Sequence, residues 1–180
     1  DRDDKGQQRR SKGSEEQELM KKRAIVFTLT AVLLLALTAC GNQNDSVKCV
    51  KAVETALEKV KSADIDTTVN YDEDAYGENF ERLYNFSKEQ VDDGVIAYAS
   101  SGGSADEISV VHVADSSDVN GIKKYMEARL EKRLQDFQNY KPEEVSKIEN
   151  GKVVVQQQYV ILVISNKADD IINAMREVLR

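Results

Sequence analysis

Lys152-Val153-Val154-Val155-Gln156-Gln157-Gln158-Tyr159-Val160-Ile161-Leu162-Val163-Ile164-Ser165 is the stretch that decides the fold. Val160 to Ile164 is apolar at every position and not at alternate ones, so both faces of the segment must be covered, as in a central strand. Lys152 to Gln156 and Tyr159 to Ser165 read as the two arms of a hairpin about Gln156-Gln157, introduced by the turn signal Asn150-Gly151. A sheet that is apolar on both sides at its centre needs helices above and below it.

The same pattern occurs upstream. Val95 to Ala99 and Glu107 to Val113 flank a Ser/Gly-rich turn at Ser100 to Ser104, giving a first hairpin. Asp115-Ser116-Ser117-Asp118 carries N-cap chemistry, and Val119, Ile122, Met126, Leu130, Leu134 and Phe137 then form one apolar stripe on a long helix. The only proline of the chain, Pro142, follows Tyr140-Lys141 where that helix must stop. A short turn or helix at Glu143 to Ile148 leads into the second hairpin, and Ala168, Ile171, Ile172, Met175, Val178 and Leu179 make a closing amphipathic helix. The expected class is α+β, a four-stranded, mainly antiparallel sheet in ββα-ββα order with an additional N-terminal helix. The core is expected over residues 94–180, forming one domain with residues 47–93. Both long helices are expected on one face, with the N-terminal helix on the other.

That N-terminal helix is read from Val47, Val50, Val53, Leu57 and Val60. Asp64 to Asp93 follows with ten acidic residues against Arg82 and Lys88, interleaved with Tyr71, Tyr76, Phe80, Tyr84 and Phe86. A short helix is expected through Glu78 to Tyr84, and Ser87-Lys88-Glu89-Gln90 has the form of a capping box.

Ahead of these elements, Met20-Lys21-Lys22-Arg23, the apolar run Ala24 to Leu37 and then Leu37-Thr38-Ala39-Cys40 follow the order of a signal peptide. The cleavage end resembles the bacterial lipobox, which implies that Cys40 carries covalent diacylglycerol and becomes the first mature residue. A transmembrane anchor is the alternative, but the 17 residues from Ala24 to Cys40 are at the short limit for a membrane span. Residues 20–39 are thus the expected signal peptide and 40–46 the lipidated cysteine and tether. Residues 1–19, with five basic and six acidic side chains, resemble no part of a signal peptide and are expected to be non-structural, with translation starting at Met20.

The whole chain has 25 basic and 32 acidic residues, and removing residues 1–39 leaves 17 and 26, a formal charge of −9. Such a surface repels nucleic acid and anionic head groups, so membrane attachment is expected through the lipid. If Cys40 carries lipid, Cys49 is the one free thiol and is expected to be semi-buried; in a soluble protein a Cys40–Cys49 disulfide is the alternative.

Four constellations have chemical potential. Asp72-Glu73-Asp74-Ala75-Tyr76-Gly77 begins like a calcium loop, but Tyr76 stands at position five and Leu83 at position twelve, so no metal site is expected. Ser101-Gly102-Gly103-Ser104 feeds a strand and not a helix, unlike a phosphate cradle. As a loop on a rigid scaffold it is nonetheless the candidate ligand or partner contact, comprising Ser100, Ser101, Gly102, Gly103, Ser104, Asp106 and Glu107. His112, the only histidine, lies mid-strand on one face with Ile108 and Val110, and no nucleophile-elbow motif accompanies it. Lys123, Lys124, Arg129, Lys132 and Arg133 lie opposite the apolar stripe among Glu127, Glu131 and Asp136, a mixed solvated face or a basic docking strip.

The run Ser100 to Ile108, the long helix with Phe137 and Tyr140-Lys141-Pro142-Glu143-Glu144, and Tyr159 to Ser165 resemble lipoproteins of Gram-positive bacteria grouped as domain of unknown function 4358. The resemblance extends over Val47 to Leu179. It implies a lipid-anchored domain at the extracytoplasmic face of the cell membrane, and it carries over no catalytic residue. The expected function is a non-catalytic binding or accessory module of the cell envelope with a possible protein partner and no cofactor. A small-ligand or solute-binding lipoprotein and a cell-envelope enzyme are the alternatives.

Overall fold

The computed structural model describes residues 48–61 and 63–180, so Cys40, the signal segment 20–39, the tether and Val47 lie outside the described residues. The order is α1 (Lys48–Lys59), β1 (Thr67–Asn70), α2 (Ala75–Tyr84), β2 (Val91–Tyr98), β3 (Glu107–Val113), α3 (Val119–Tyr140), α4 (Val145–Glu149), β4 (Lys152–Gln156), β5 (Tyr159–Ile164) and α5 (Ala168–Val178). Single 3-10 turns precede β2, α3 and α4.

The strands form one sheet in the order β1-β2-β3-β5-β4, with every pairing antiparallel. The expectation of four strands is corrected to five. The extra strand, β1, pairs Thr67 with Tyr98 and Asn70 with Val95 inside the acidic segment, where only Val69 of its four residues is buried. So short an edge strand leaves almost no alternating signal. With β1 and α2 ahead of the first hairpin and α4 between α3 and the second, the chain is not a plain ββα repeat.

Two apolar layers flank the sheet, as the two-faced β5 demands. Val111, Val113, Val160, Leu162 and Ile164 share one with Phe80 and Tyr84 of α2, Ile122, Met126 and Phe137 of α3, and Ile148 of α4. Val95, Ile108, Val110, Ile161 and Val163 share the other with α1 and α5. The two long helices therefore lie on opposite faces, and α5 joins the N-terminal helix. All six residues of β5 are buried, and α1, whose buried side chains are small, covers the second face only together with α5. The buried side of α1 is Cys49, Ala52, Val53 and Ala56, while Val50, Leu57 and Val60 pack at its margin. Small residues let the helix approach the sheet closely, so the face is set by shape as much as by hydrophobicity.

β2 begins earlier than its apolar run, at Val91, and carries a bulge between Val91 and Asp93. The bulge admits Asp92 and Asp93 into a strand, one exposed and the other buried. Asp93 Oδ2 accepts a hydrogen bond of 3.0 Å from the backbone N–H of Cys49, meeting one of the unpaired donors at the start of α1. Cys49 itself is free and fully buried, and burial, then the Asp93 carboxylate, push its thiol well above the ordinary range.

Next to Asp93, Gly94 leaves room for the fully buried Tyr76, whose hydroxyl lies 1.8 Å from where a Cβ on residue 94 would stand. Gly94→Ala is expected to lower stability by about 1–3 kcal/mol through overpacking. In denaturant melts, Tyr76→Phe should recover part of that loss in the double variant, because it removes the nearest atom of the clash.

Candidate functional site

The loop between β2 and β3 divides into an exposed tip and buried flanks. Ser100 to Gly103 make the tip, with Gly102 in the left-handed region at φ 67°, while Ser104, Asp106 and Glu107 are buried. The structure brings these flanks together with the middle turns of α3 and with α4, so the candidate residues belong to an ion-paired junction as well as to a loop.

Glu107 anchors the inner tier. It has no exposed surface and faces the α2–α3 layer, where Arg129 Nε donates to Oε1 at 3.0 Å and Arg129 Nη2 to Oε2 at 2.7 Å. The Tyr84 hydroxyl donates to Oε1 at 2.7 Å, and Arg133 Nε lies 3.4 Å from Oε2. The four-residue spacing of Arg129 and Arg133 puts both guanidiniums on one side of α3. Arg133 also lies over the Phe137 ring, 4.5 Å from its centroid. Burial alone would raise the Glu107 carboxyl, but the two arginines and Tyr84 hold it below the ordinary value of 4.5. Burial pulls Arg129 down, yet Glu107 more than compensates and holds it up, whereas Arg133 is left lowered by burial.

The outer tier is built on Lys147 of α4. Its Nζ donates to Asp106 Oδ2 and Glu144 Oε2, both at 2.7 Å, and to Ser104 Oγ at 3.0 Å. Glu144 Oε2 also accepts the backbone N–H of Ala105 at 2.8 Å, and Lys141 donates from Nζ to the carbonyl of Gly103. Burial works against the lysine charge, but Asp106 and Glu144 hold it above its ordinary value. The loop's acidic residues are thus engaged with the body of the domain, and its serine and glycine tip is what faces solvent.

Beside this junction a cleft of about 340 Å³ is lined by Asn150, Lys152, Ser165, Asn166, Lys167, Ala168, Asp169 and Asp170. Its rim is partly self-paired, with Lys152 Nζ 2.6 Å from both Asp169 carboxylate oxygens. Both cleft and loop lie at one end of the sheet, since Glu107 pairs with Ile164 and Lys152 with Val163.

The opposite end holds His112, paired with Asp93 and Tyr159, and the start of α1. His112 Nδ1 is 2.5 Å from Asp92 Oδ1, and its ring lies 4.7 Å from that of Tyr159. This pairing follows from the bulge in β2, which no motif announces. The segment that begins like a calcium loop forms the turn into α2 and buries Tyr76. Among the described residues, no group of three or more His, Cys, Asp or Glu is placed to hold a metal ion. The basic residues of α3 divide: Arg129 and Arg133 turn inward to Glu107, while Lys123 and Lys132 pair with Glu127 and Asp136 on their own helix.

Fold and junction define a domain with helices on both faces of a five-stranded antiparallel sheet, pinned by buried ion pairs at the loop end. The chain belongs to the family described as Domain of unknown function (DUF4358), whose model matches residues 63–165, more than half of its 180 residues. No curated protein and no solved structure matches the chain.

Glu107→Gln is expected to cost about 3–5 kcal/mol at neutral pH, because it leaves the half-buried guanidiniums of Arg129 and Arg133 without their buried counter-charge. A carboxyl with a depressed folded value stabilises fully above its unfolded value near 4.5 and loses that contribution as pH falls through the lower folded value. The acid limb of the stability–pH curve should accordingly be shallower in the variant than in the parent.

Proposed function

We propose that the chain is a lipid-anchored lipoprotein at the extracytoplasmic face of the cell membrane, whose domain is a non-catalytic binding or accessory module of the cell envelope. The observation that carries the reading is the run from Met20-Lys21-Lys22-Arg23 through the apolar segment to Leu37-Thr38-Ala39-Cys40, with Gly41 to Asp45 as a tether. The placement of the loop supports it. α1, the first described element after that tether, starts at the Asp93–His112 end of the sheet, and the Ser100–Gly103 tip lies at the other. Five residue steps of β3 separate the two ends, roughly 17 Å, so the tip stands away from the start of α1.

The binding reading draws on the division of labour in the loop. Asp106 and Glu107 spend their charge on Lys147, Arg129 and Arg133, which leaves backbone and small hydroxyl groups for a partner. A small-ligand receptor is the second reading, favoured by the polar cleft between Lys152, Ser165 and Lys167.

Two measurements test these readings. Mass spectrometry of the cell-expressed protein should recover a first peptide that starts at Cys40 and carries diacylglycerol, with Cys40→Ser releasing the protein from the membrane fraction; an unmodified Cys40 peptide sinks the anchor. A photoreactive side chain at Ser101 should capture one defined envelope protein that the same probe at Lys124 does not. Equal capture at both positions removes the loop as the contact, and a thermal shift with a polar metabolite then turns attention to the cleft.

A further inference from the structure

The two edges of the sheet are finished differently. At the β1 edge, the N–H of Tyr71 donates to Gly94 O at 3.0 Å, which directs Thr67 and Val69 toward β2 and leaves Thr68 and Asn70 facing outward. Asn70 is closed locally: its N–H donates to Glu73 Oε1 at 3.0 Å and its carbonyl accepts the Glu73 N–H at 2.9 Å. Half of that short edge is thereby withdrawn from pairing.

β4 has no such closure. The N–H of Val113 donates to Gln158 O at 2.9 Å, so Val160, Leu162 and Ile164 direct their backbone groups to β3. Tyr159, Ile161 and Val163 then bond to Gln156, Val154 and Lys152, as the two-residue turn Gln157-Gln158 also requires. Val153 and Val155 are left with N–H and C=O directed off the sheet. Among the described residues no strand lies beyond them and no backbone hydrogen bond outside the ladder reaches either. The devices that usually protect an edge are missing as well. β4 contains no proline and no register shift, and the side chain of its one charged residue, Lys152, is drawn to Asp169. Val155 is 37% exposed, one of three large apolar side chains so exposed among the described residues.

We propose that β4 is a homotypic docking edge, at which two copies of this chain pair antiparallel about Val154 and join their sheets into one. The strand is complementary to itself in that register. Val153 meets Val155 of the second copy in two hydrogen-bonded pairs, which satisfy all eight outward groups with four N–H···O bonds. Lys152 falls opposite Gln156, so no like charges oppose one another. Val154 sits on the two-fold axis in a non-hydrogen-bonded pair. This proposal is independent of the anchor reading, and its test is made on the full chain in detergent with Cys40→Ser, so the two fail separately.

The register makes the test specific. Val154→Cys places two thiols across the axis with Cα atoms about 4.5 Å apart, within the range that a disulfide spans. Under mild oxidation it is expected to crosslink about ten times faster than Val155→Cys, whose own counterpart is out of reach. Sedimentation of the chain without added cysteines should give the protein mass of two copies. Val155→Pro removes an outward N–H that β5 does not use, and is expected to give one copy that still unfolds in a single cooperative transition, at the lower temperature that loss of association alone brings. A single-copy mass for the parent chain overturns the proposal. So does equal crosslinking at positions 154 and 155, which marks random collision.

Discussion

Glu107 is a carboxylate with no exposed surface at the first position of a central strand, and the packing of one whole helix layer answers to it. A buried charge of this kind is tolerated only when paired and hydrogen-bonded, and here the partners come from α2 and α3, through Tyr84, Arg129 and Arg133. Apolar contacts between α3 and the sheet are satisfied by several offsets of a ridge over the strands. The bidentate contact of Arg129 is satisfied by one. Ile122 and Met126 toward one end, and Phe137 toward the other, follow from that register. Beyond it, Pro142 ends the helix and the chain turns so that Lys147 reaches Asp106, the residue beside Glu107. Two adjacent acidic residues thus hold two successive helices, where a serine and glycine loop leads into a strand buried at every position but His112.

Much of this arrangement was legible along the chain. The two hairpins, the 22-residue helix with its proline stop and the closing helix all follow from local periodicity and capping. What was not legible depends on contacts distant in sequence. β1 has four residues and one buried side chain, too few for an alternation. β2 starts on a bulge at two aspartates, and a strand that buries Asp93 looks like a solvated turn until the N–H of Cys49, 44 residues earlier, is seen to meet it. The distribution of helices also escaped local reading. An amphipathic pattern says that α3 and α5 each need a sheet face, and they take different ones because the small buried side chains of α1 cover the second face only with α5 beside them.

The candidate loop shows the same limit at the level of function. Ser100 to Ser104 was readable as an exposed turn, and its tip is one. Asp106 and Glu107 are acidic residues beside a glycine-rich loop, a composition that suggests a ligand contact. Their partners lie 41 and 22 residues further on, and nothing local marks Lys147 or Arg129 as the cations that take them. Conversely, Lys123 and Arg129 look alike on a helical wheel of mixed charge, yet one pairs with its own helix and the other is drawn into the protein. The sign of a charge was legible, but its destination was set by which strand carried the opposite charge.

The ends and edges of the sheet carry the remaining asymmetry, and it has one physical origin. Backbone donors and acceptors without a partner are costly unless water, a side chain or another strand receives them. At the start of α1 the receiver is Asp93, at β1 it is Glu73, and at the Ser100 N–H it is Asp66, through a bond of 2.8 Å to Oδ1. All three acceptors belong to the acidic segment 64–93. Its charge is therefore structural in part: it terminates one helix, one edge and one loop from a single stretch of chain. No comparable run of acceptors accompanies the second hairpin. Gln156, the nearest polar side chain in β4, donates instead to the carbonyls of Arg176 and Leu179 at the end of α5. The acidic segment thus closes the half of the domain it belongs to, and the open backbone groups gather at Val153 and Val155, where no backbone hydrogen bond from the other described residues meets them.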